Sequence, residues 1–155
     1  GLDLVVARFF NTVGPRQTGR YGMVLPRFAK QALAGDPITV YGDGEQTRTF
    51  THILDVVRIM LKLMETPEAI GELVNIGGYE EVSIKSLAER IKTQLNSDSE
   101  IRLIPYDEAY PQDFDDMRRR VPSSVKLKQL INDVPERSLD SIIRDVVDYH
   151  RTSED

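Results

Sequence analysis

The 155-residue chain contains no cysteine, which excludes disulfides, thiolate metal sites and a cysteine nucleophile. It lacks any run near the roughly 18 apolar residues that a membrane-spanning helix requires, and no signal peptide is visible. Positive charge is also in short supply. Lys and Arg number 20 against 25 Asp and Glu, a net charge of −5. A broad nucleic-acid or membrane surface is therefore not expected, and an anionic partner must be met by a few local cations. These absences predict a soluble, cytoplasmic chain with no nucleic-acid and no membrane partner. There is no initiating methionine: the sequence opens "GLDLVVARFF" and runs straight into Leu4-Val5-Val6-Ala7. A continuous apolar run of this kind predicts a strand buried on both faces, as in the interior of a parallel sheet. Parallel strands need neighbours joined by crossovers, so the expectation is a piece of a longer protein.

What is present is one mixed α/β core. Hydrophobic residues make up 40% and charged residues 29%, ordinary values for one globular domain of this length. "NTVGPRQTGRYG" reads as a loop. "MVLPRFAKQALAG" reads as a helix with Pro26 in its first turn, Val24, Leu25, Phe28, Ala29, Ala32 and Leu33 on one face, and Gly35 at its C-terminal cap. "PITVYGDGEQTRTFTH" predicts two short strands joined as a hairpin at Asp43-Gly44. "ILDVVRIMLKLME" is apolar on most sides and predicts a nearly wholly buried helix. "ELVNIGG" is a second buried-type strand. "VSIKSLAERIKTQL" is a helix capped by Ser83, and "EIRLIPY" a short strand. "DEAYPQDFDDMRRRVP" has no clear period and reads as a loop. Two helices close the chain, one from Ser123 with Val125, Leu127, Leu130 and Ile131 inward, one from Ser138. The order β-α-ββ-α-β-α-β-α-α is mixed α/β, with too few parallel strands for a complete doubly wound sheet.

The polar residues give no catalytic constellation. Gly42 and Gly44 do not form a dinucleotide fingerprint, because strand-forming residues rather than a helix follow them. Thr47-Arg48 stands where a phosphate-binding Walker loop needs Lys followed by Ser or Thr. Arg48 lies in a strand otherwise made of Thr and Phe, where a charge must be paired or wet. It is either half of a salt bridge to Asp43, Glu45 or Asp55, or a two-pronged phosphate grip. Arg118-Arg119-Arg120 is the one basic cluster, and it either neutralises Asp113, Asp115 and Asp116 or meets an anion. Asn11 follows a buried strand, at the sheet edge where α/β proteins place ligands, or else caps its own turn. Asn75 is unusual in an apolar strand and needs a partner if buried. Asp55 falls in a helix first turn, where the helix dipole accounts for it. His52 and His150 are too far apart for a local metal motif, and the acids of "DFDD" lack calcium-loop spacing, so no metal is expected.

Taken in order, "ARFFNTVGPRQ", "VLPRFAKQALAGDPITVYGDGEQTRTFTHILDVV", "LVNIGG" and "RRRVPSSVKLKQLI" resemble the C-terminal half of the extended short-chain dehydrogenases/reductases that act on nucleotide sugars. These include UDP-glucose 4-epimerases, dTDP-glucose 4,6-dehydratases and UDP-glucuronate decarboxylases. The resemblance implies that residues 1–10 and 72–78 are late strands of a Rossmann-type parallel sheet. Residues 11–71 and 79–155 would form a small mixed α/β substrate-binding part with its packing helices. By family pattern Asn11 would contact the substrate near the sugar or pyrophosphate, and Leu25 and Tyr41 would line the nucleobase pocket. Gln46 would shape the pocket entrance, Arg48 and Arg120 would clamp the diphosphate, and Asn75 would sit near the same phosphates.

The family's three-glycine cofactor loop and its catalytic Tyr-x-x-x-Lys are absent from the 155 residues, so both are expected upstream of Gly1, where NAD would mainly be bound. No residue of this chain is then expected to be catalytic. The resemblance further implies an NAD-dependent oxidation of the hexose at C4 in a full-length homodimeric enzyme, with epimerisation ahead of dehydration or decarboxylation and with this piece inactive alone. The alternatives are a stand-alone nucleotide-sugar-binding module and a structural fragment.

Overall fold

The computed structural model describes residues 1–17, 23–109 and 116–153. In chain order its elements are β1 (Val6–Phe9), β2 (Thr12–Val13), α1 (Val24–Ala34), β3 (Ile38–Tyr41), β4 (Thr47–Thr49), β5 (Thr51–His52) and α2 (Ile53–Met64). After a 3-10 turn at Pro67–Ala69 come β6 (Leu73–Ile76), β7 (Glu81–Ser83), α3 (Ile84–Leu95), β8 (Ile101–Ile104), α4 (Tyr106–Ala109), β9 (Arg119–Arg120), α5 (Val125–Ile131) and α6 (Leu139–Ser153). The chain divides into two compact units. Unit 1 comprises Gly1–Gly14, Thr49–Glu81 and Val121–Ile142, and unit 2 comprises Pro15–Arg48, Val82–Arg120 and Ile143–Asp155.

Unit 1 is built on the parallel pair β1–β6, in register from Val6↔Leu73 to Phe9↔Ile76. Side chains alternate across a strand, so Val74 and Ile76 face one way. There they form a core with Val56, Ile59 and Leu63 of α2, Ala69, and Leu127 of α5, with Val5 and Ala7 packed against it. The opposite parity, Val6 and Leu73, stays exposed. The expectation that β1 is buried on both faces is therefore corrected. Among the described residues β1 has only β6 as a neighbour, and only one face of the pair is covered by helices. The same correction applies to α2. It buries Val56, Ile59 and Leu63, at i, i+3 and i+7, but Leu54, Val57, Leu61 and Met64 are exposed. An all-round apolar helix predicts burial only when something lies on each side of it. In α5, N-capped at Ser124, Leu127 is buried but Val125 is 63% exposed, which removes it from the predicted inward face.

Unit 2 closes more completely. β3 and β8 pair in parallel from Ile38↔Ile101 to Tyr41↔Ile104. α1 buries Leu25, Phe28, Ala29 and Ala32, and α3 buries Leu87, Ala88 and Ile91. Burial of each of the Leu, Ile and Phe side chains is worth about 1.5–3 kcal/mol, and of each Ala methyl about 0.8 kcal/mol. The caps follow the sequence. Gly35 ends α1 at φ +74°, with its N–H donating to Gln31, and Ser83 Oγ accepts from Ser86 N at the start of α3.

The predicted hairpin does not form. β3 and β4 lie in different sheets, β3 with β8 and β4 between β7 and β9. The turn between them is real, with Gly42 at φ +69° and Gly44 at φ +76°, a region where glycine alone is unstrained. It redirects the chain instead of folding it back. The stretch read as a loop after β8 contains α4 and β9, and its Asp113 and Asp115 fall outside the described residues.

Candidate functional site

Unit 2 carries five of the seven candidate residues, Leu25 on α1, Tyr41 at the end of β3, Gln46 just before β4, Arg48 on β4 and Arg120 on β9. Arg48 is 8% exposed, and burying a guanidinium is costly unless every side of it is paired. Its Nη1 donates to the carbonyls of Thr47 and Met117, each at 2.7 Å. Its Nη2 donates to Asp116 Oδ1 at 2.5 Å. Arg48 thus is in a salt bridge, but with none of the three acids expected from spacing. Asp43 is engaged bidentately by Arg118 at 2.9 and 2.7 Å, and Asp55 lies in unit 1. Of the run and the acids just upstream of it, Arg118 thus pairs with Asp43 and Asp116 with Arg48, while Asp113 and Asp115 lie outside the described residues. Arg120 is exposed on β9 and stands directly opposite Arg48 in the parallel β4–β9 register.

Gln46 precedes β4 and is buried. Its Nε2 donates to the Tyr41 carbonyl at 3.0 Å and to Tyr106 Oη at 2.9 Å, while its Oε1 has no hydrogen-bond partner among the described residues. Tyr106 Oη in turn donates to Asp116 Oδ2 at 3.2 Å. A continuous chain thus runs Gln46–Tyr106–Asp116–Arg48. Burial pushes the Tyr106 phenol up to about 12, and the Asp116 charge adds to that rise. Tyr41 presents its ring to the Arg27 guanidinium, 4.1 Å from the ring centroid, a cation–π contact. Leu25 is only 1% exposed. Its side chain belongs to the α1 core, and only its backbone lies in the first turn of α1, for which Met23 supplies no side-chain cap.

The glycine turn has no room for a phosphate. A Cβ on Gly42 would sit 2.3 Å from the Tyr106 ring, and one on Gly44 would meet Lys85 Cβ and Val40 Cγ1 at 2.9 Å. Lys85 N donates to the Gly44 carbonyl at 2.9 Å, and Asp43 Oδ1 accepts from Glu45 N at 3.0 Å. The space that the glycines open is filled by protein, and the turn serves to seat Tyr106 and α3. The side-chain bond and charge of Arg118 hold the exposed Asp43 carboxyl below its ordinary range.

Unit 1 carries the other two candidates, at the carboxyl end of the β1–β6 pair. Asn11 takes a left-handed backbone, φ +39°, and its Nδ2 donates to the Thr49 carbonyl at 2.8 Å. Asn75 sits in β6 opposite Arg8. Its Oδ1 and Thr49 Oγ1 are buried without hydrogen-bond partners among the described residues. Such orphans are rare in finished cores. Around them the backbone is tightly knit. Thr51 Oγ1 donates to the Phe10 carbonyl at 2.9 Å and accepts from Gly78 N at 2.8 Å. A Cβ on Gly78 would sit 2.1 Å from the Phe50 carbonyl oxygen.

Asp55 corrects the dipole explanation. Its carboxylate is buried and accepts from the backbone N–H groups of Glu136 and Arg137, at 3.1 and 3.0 Å, and from the Arg137 guanidinium at 2.5 Å. Burial pushes this carboxyl up, but those two N–H groups and the charges of Arg137 and Arg58 outweigh it and hold the acid below its ordinary range. Asp133 does the same work with Arg58 and Lys62. Sequence reasoning missed this hub because partners some 80 positions away leave no local signal. It also missed Tyr106, which reads as the last residue of the strand "EIRLIPY" but lies past the end of β8, at the start of α4. Among the described residues no group of His, Asp and Glu is placed to hold a metal, and no helix is long and apolar enough to cross a membrane.

Comparison with known proteins places this geometry in a family. The NAD dependent epimerase/dehydratase family profile matches residues 1–77. The chain is 37% identical over 155 residues to the UDP-N-acetyl-alpha-D-glucosaminuronate decarboxylase of Bacillus cytotoxicus, covering 99% of this chain and 48% of that protein. Among solved structures it matches the UDP-glucose 4-epimerase of Thermotoga maritima with UDP-glucose at TM-score 0.88 and 29% identity, over 99% of this chain and 48% of that one. It matches the UDP-glucuronic acid 4-epimerase of Bacillus cereus, in complex with UDP-glucuronic acid and NAD, at TM-score 0.85 and 29% identity, over 96% and 45%. The chain spans about half the length of these relatives. Its parallel β1–β6 pair, mixed α/β architecture and family match agree with the resemblance read from the motifs, and the chain belongs to the NAD-dependent epimerase/dehydratase family of extended short-chain dehydrogenases/reductases.

Proposed function

We propose that this chain is the nucleotide-sugar-binding part of an NAD-dependent enzyme acting on a UDP-linked sugar, with Arg48 as its principal phosphate contact. The observation that carries the reading is a nearly buried arginine, aligned across a parallel ladder from the exposed Arg120. A buried arginine held by two carbonyls has its guanidinium plane fixed in advance, which suits it to bidentate phosphate recognition. Arg120 supplies a second positive charge, matching a diphosphate of about two negative charges. Gln46, with a free Oε1, and Tyr41 stand on the nucleobase side of Arg48, and the Leu25 backbone rather than its side chain is the part available to a base. Binding energy spent on the nucleotide in this way orients the sugar for chemistry elsewhere.

NAD does not fit the residues present. The glycine turn is filled by Tyr106 and Lys85, and the turn after β1 leads into the two-residue β2, not into a helix. No step is therefore assigned to the dinucleotide here. In our reading it is held by the remainder of the enzyme, which functions as a homodimer, and this chain alone is inactive. The reaction class divides the relatives. The motif resemblance puts 4-epimerisation first, whereas curated relatives at 37% and 38% identity are decarboxylases of UDP-linked uronic acids, and we place decarboxylation of a UDP-uronate first. Supplying UDP-glucuronate and UDP-glucose to the full-length enzyme separates the two, by carbon dioxide release against a change of sugar epimer. In the same protein Arg48→Ala is expected to raise KM for the UDP-sugar about tenfold or more while NAD retention is little changed. Equal losses of both would make Arg48 structural and end the reading.

A further inference from the structure

We propose that Asp116 is the resident counter-ion of Arg48 and that the diphosphate of an arriving nucleotide displaces it. Nucleotide binding in unit 2 is then an ion exchange at a preformed guanidinium. The proposal rests on the nucleotide-site reading above and adds to it the group that occupies the site between ligands.

Electrostatics requires an occupant. Arg48 is 8% exposed, and a guanidinium buried to that degree needs an anion beside it. Asp116 Oδ1, at 2.5 Å from Nη2, supplies it. As long as that bond stands the pair carries no net charge, and Arg48 has little to offer a phosphate. A diphosphate brought in beside the intact pair would also face the carboxylate, and like charges within a few ångströms repel. One of the two anions has to leave.

The geometry says which group moves. Arg48 is anchored on its other nitrogen by the Thr47 and Met117 carbonyls, both at 2.7 Å, contacts that persist whichever anion sits on Nη2. Asp116 is held loosely by comparison. Its side chain is 28% exposed, so water can take it with a small desolvation change. Its second oxygen has the Tyr106 hydroxyl at 3.2 Å, long for an O–H···O bond. Rotation of one wet side chain completes the exchange. The backbone need not follow it, because Thr47 N donates to the Arg118 carbonyl at 2.8 Å and Arg118 is tied to Asp43 by two bonds. Tyr106 is the sensor of the exchange. It accepts from Gln46 on the nucleobase side and donates to Asp116 on the phosphate side, so departure of Asp116 frees its hydroxyl proton for a new acceptor.

The test is calorimetric titration of UDP into the full-length protein and three variants. Asp116→Asn keeps the shape and removes the competing charge, and it is expected to tighten UDP about three- to tenfold. Tyr106→Phe weakens the hold on Asp116 without changing any charge, and it is expected to tighten UDP about twofold, in the same direction. Arg48→Ala is expected to weaken UDP about tenfold or more. Unchanged or weaker binding in Asp116→Asn, with Arg48→Ala still weakening it, would overturn the exchange and make Asp116 a fixed support of Arg48. Unchanged binding in Arg48→Ala, or no UDP binding by the parent protein, would overturn the nucleotide-site reading itself, and the exchange with it.

Discussion

The two units spend similar apolar sequence in different ways. In unit 2 the helices α1 and α3 and the strand β3 bury Phe28, Ile38, Val40, Leu87 and Ile91 completely. In unit 1 the pair β1–β6 and α2 bury one face in a core around Ile59, Val74 and Ile76 and leave Val6, Leu73, Leu54, Val57 and Leu61 exposed. Polar groups do not divide this way. Each unit holds a connected network, Gln46–Tyr106–Asp116–Arg48 in unit 2 and Asp55–Arg58–Asp133 in unit 1, and each keeps buried oxygens without partners among the described residues, Gln46 Oε1 in one and Thr49 Oγ1 and Asn75 Oδ1 in the other. A uniform apolar pattern in the sequence thus marks surface that can be buried, and the tertiary neighbours decide how much of it is.

Four substitutions sharpen this contrast, each read by chemical unfolding of the chain. Gly78→Ala should be the most damaging, at about 4 kcal/mol, because its Cβ meets the Phe50 backbone carbonyl, which has no rotamer to escape into. A cost below about 1 kcal/mol would mean that the unit 1 backbone yields easily. Leu87→Ala, in the closed core of unit 2, should cost about 3 kcal/mol through lost transfer energy and the cavity left behind. Asp55→Ala should cost about 3 kcal/mol at neutral pH, since it strands the N–H groups of Glu136 and Arg137 and uncouples Arg137. The sign with pH is fixed by the lowered folded-state pKa. The stabilisation is complete above the ordinary carboxylate value of about 3.9 and is lost as pH falls through the lower folded value. The gap between parent and variant should therefore be constant from neutral pH down to about 5 and close only in stronger acid. Closure near neutrality would refute the assignment. Leu61→Lys, the same residue type as Leu87 but on the open face of α2, should change stability by no more than about 0.5 kcal/mol while raising solubility. A loss comparable to that of Leu87→Ala would show that the α2 face is covered.

Local signals account for what was legible. The helices α1, α3 and α6, the caps Gly35 and Ser83, and the strands β1, β3, β6 and β8 follow from periodicity and punctuation, which act over a few residues. The Gly42–Gly44 turn was legible as a turn but not as a crossing between sheets, because strand pairing is decided by β8 and β9, some 60–75 residues later. Arg48 was legible as a charge needing a partner, but the partner Asp116 was one acid among several in an aperiodic stretch. Tyr106 reads as the end of a short strand, and its role emerges only as the ring that fills the space above Gly42. The site is thus readable in its cations and silent in the groups that hold them.

The most direct test of the account is a UDP titration of the isotope-labelled 155-residue chain followed by amide chemical shifts, which register binding even at millimolar affinity. The account predicts progressive shifts centred on Tyr41, Gln46, Arg48, Asp116 and Arg120, abolished in Arg48→Ala, with the buried α3 core around Leu87 and Ile91 unmoved. Shifts that bypass Arg48 and Gln46, or that persist unchanged in Arg48→Ala, would contradict it.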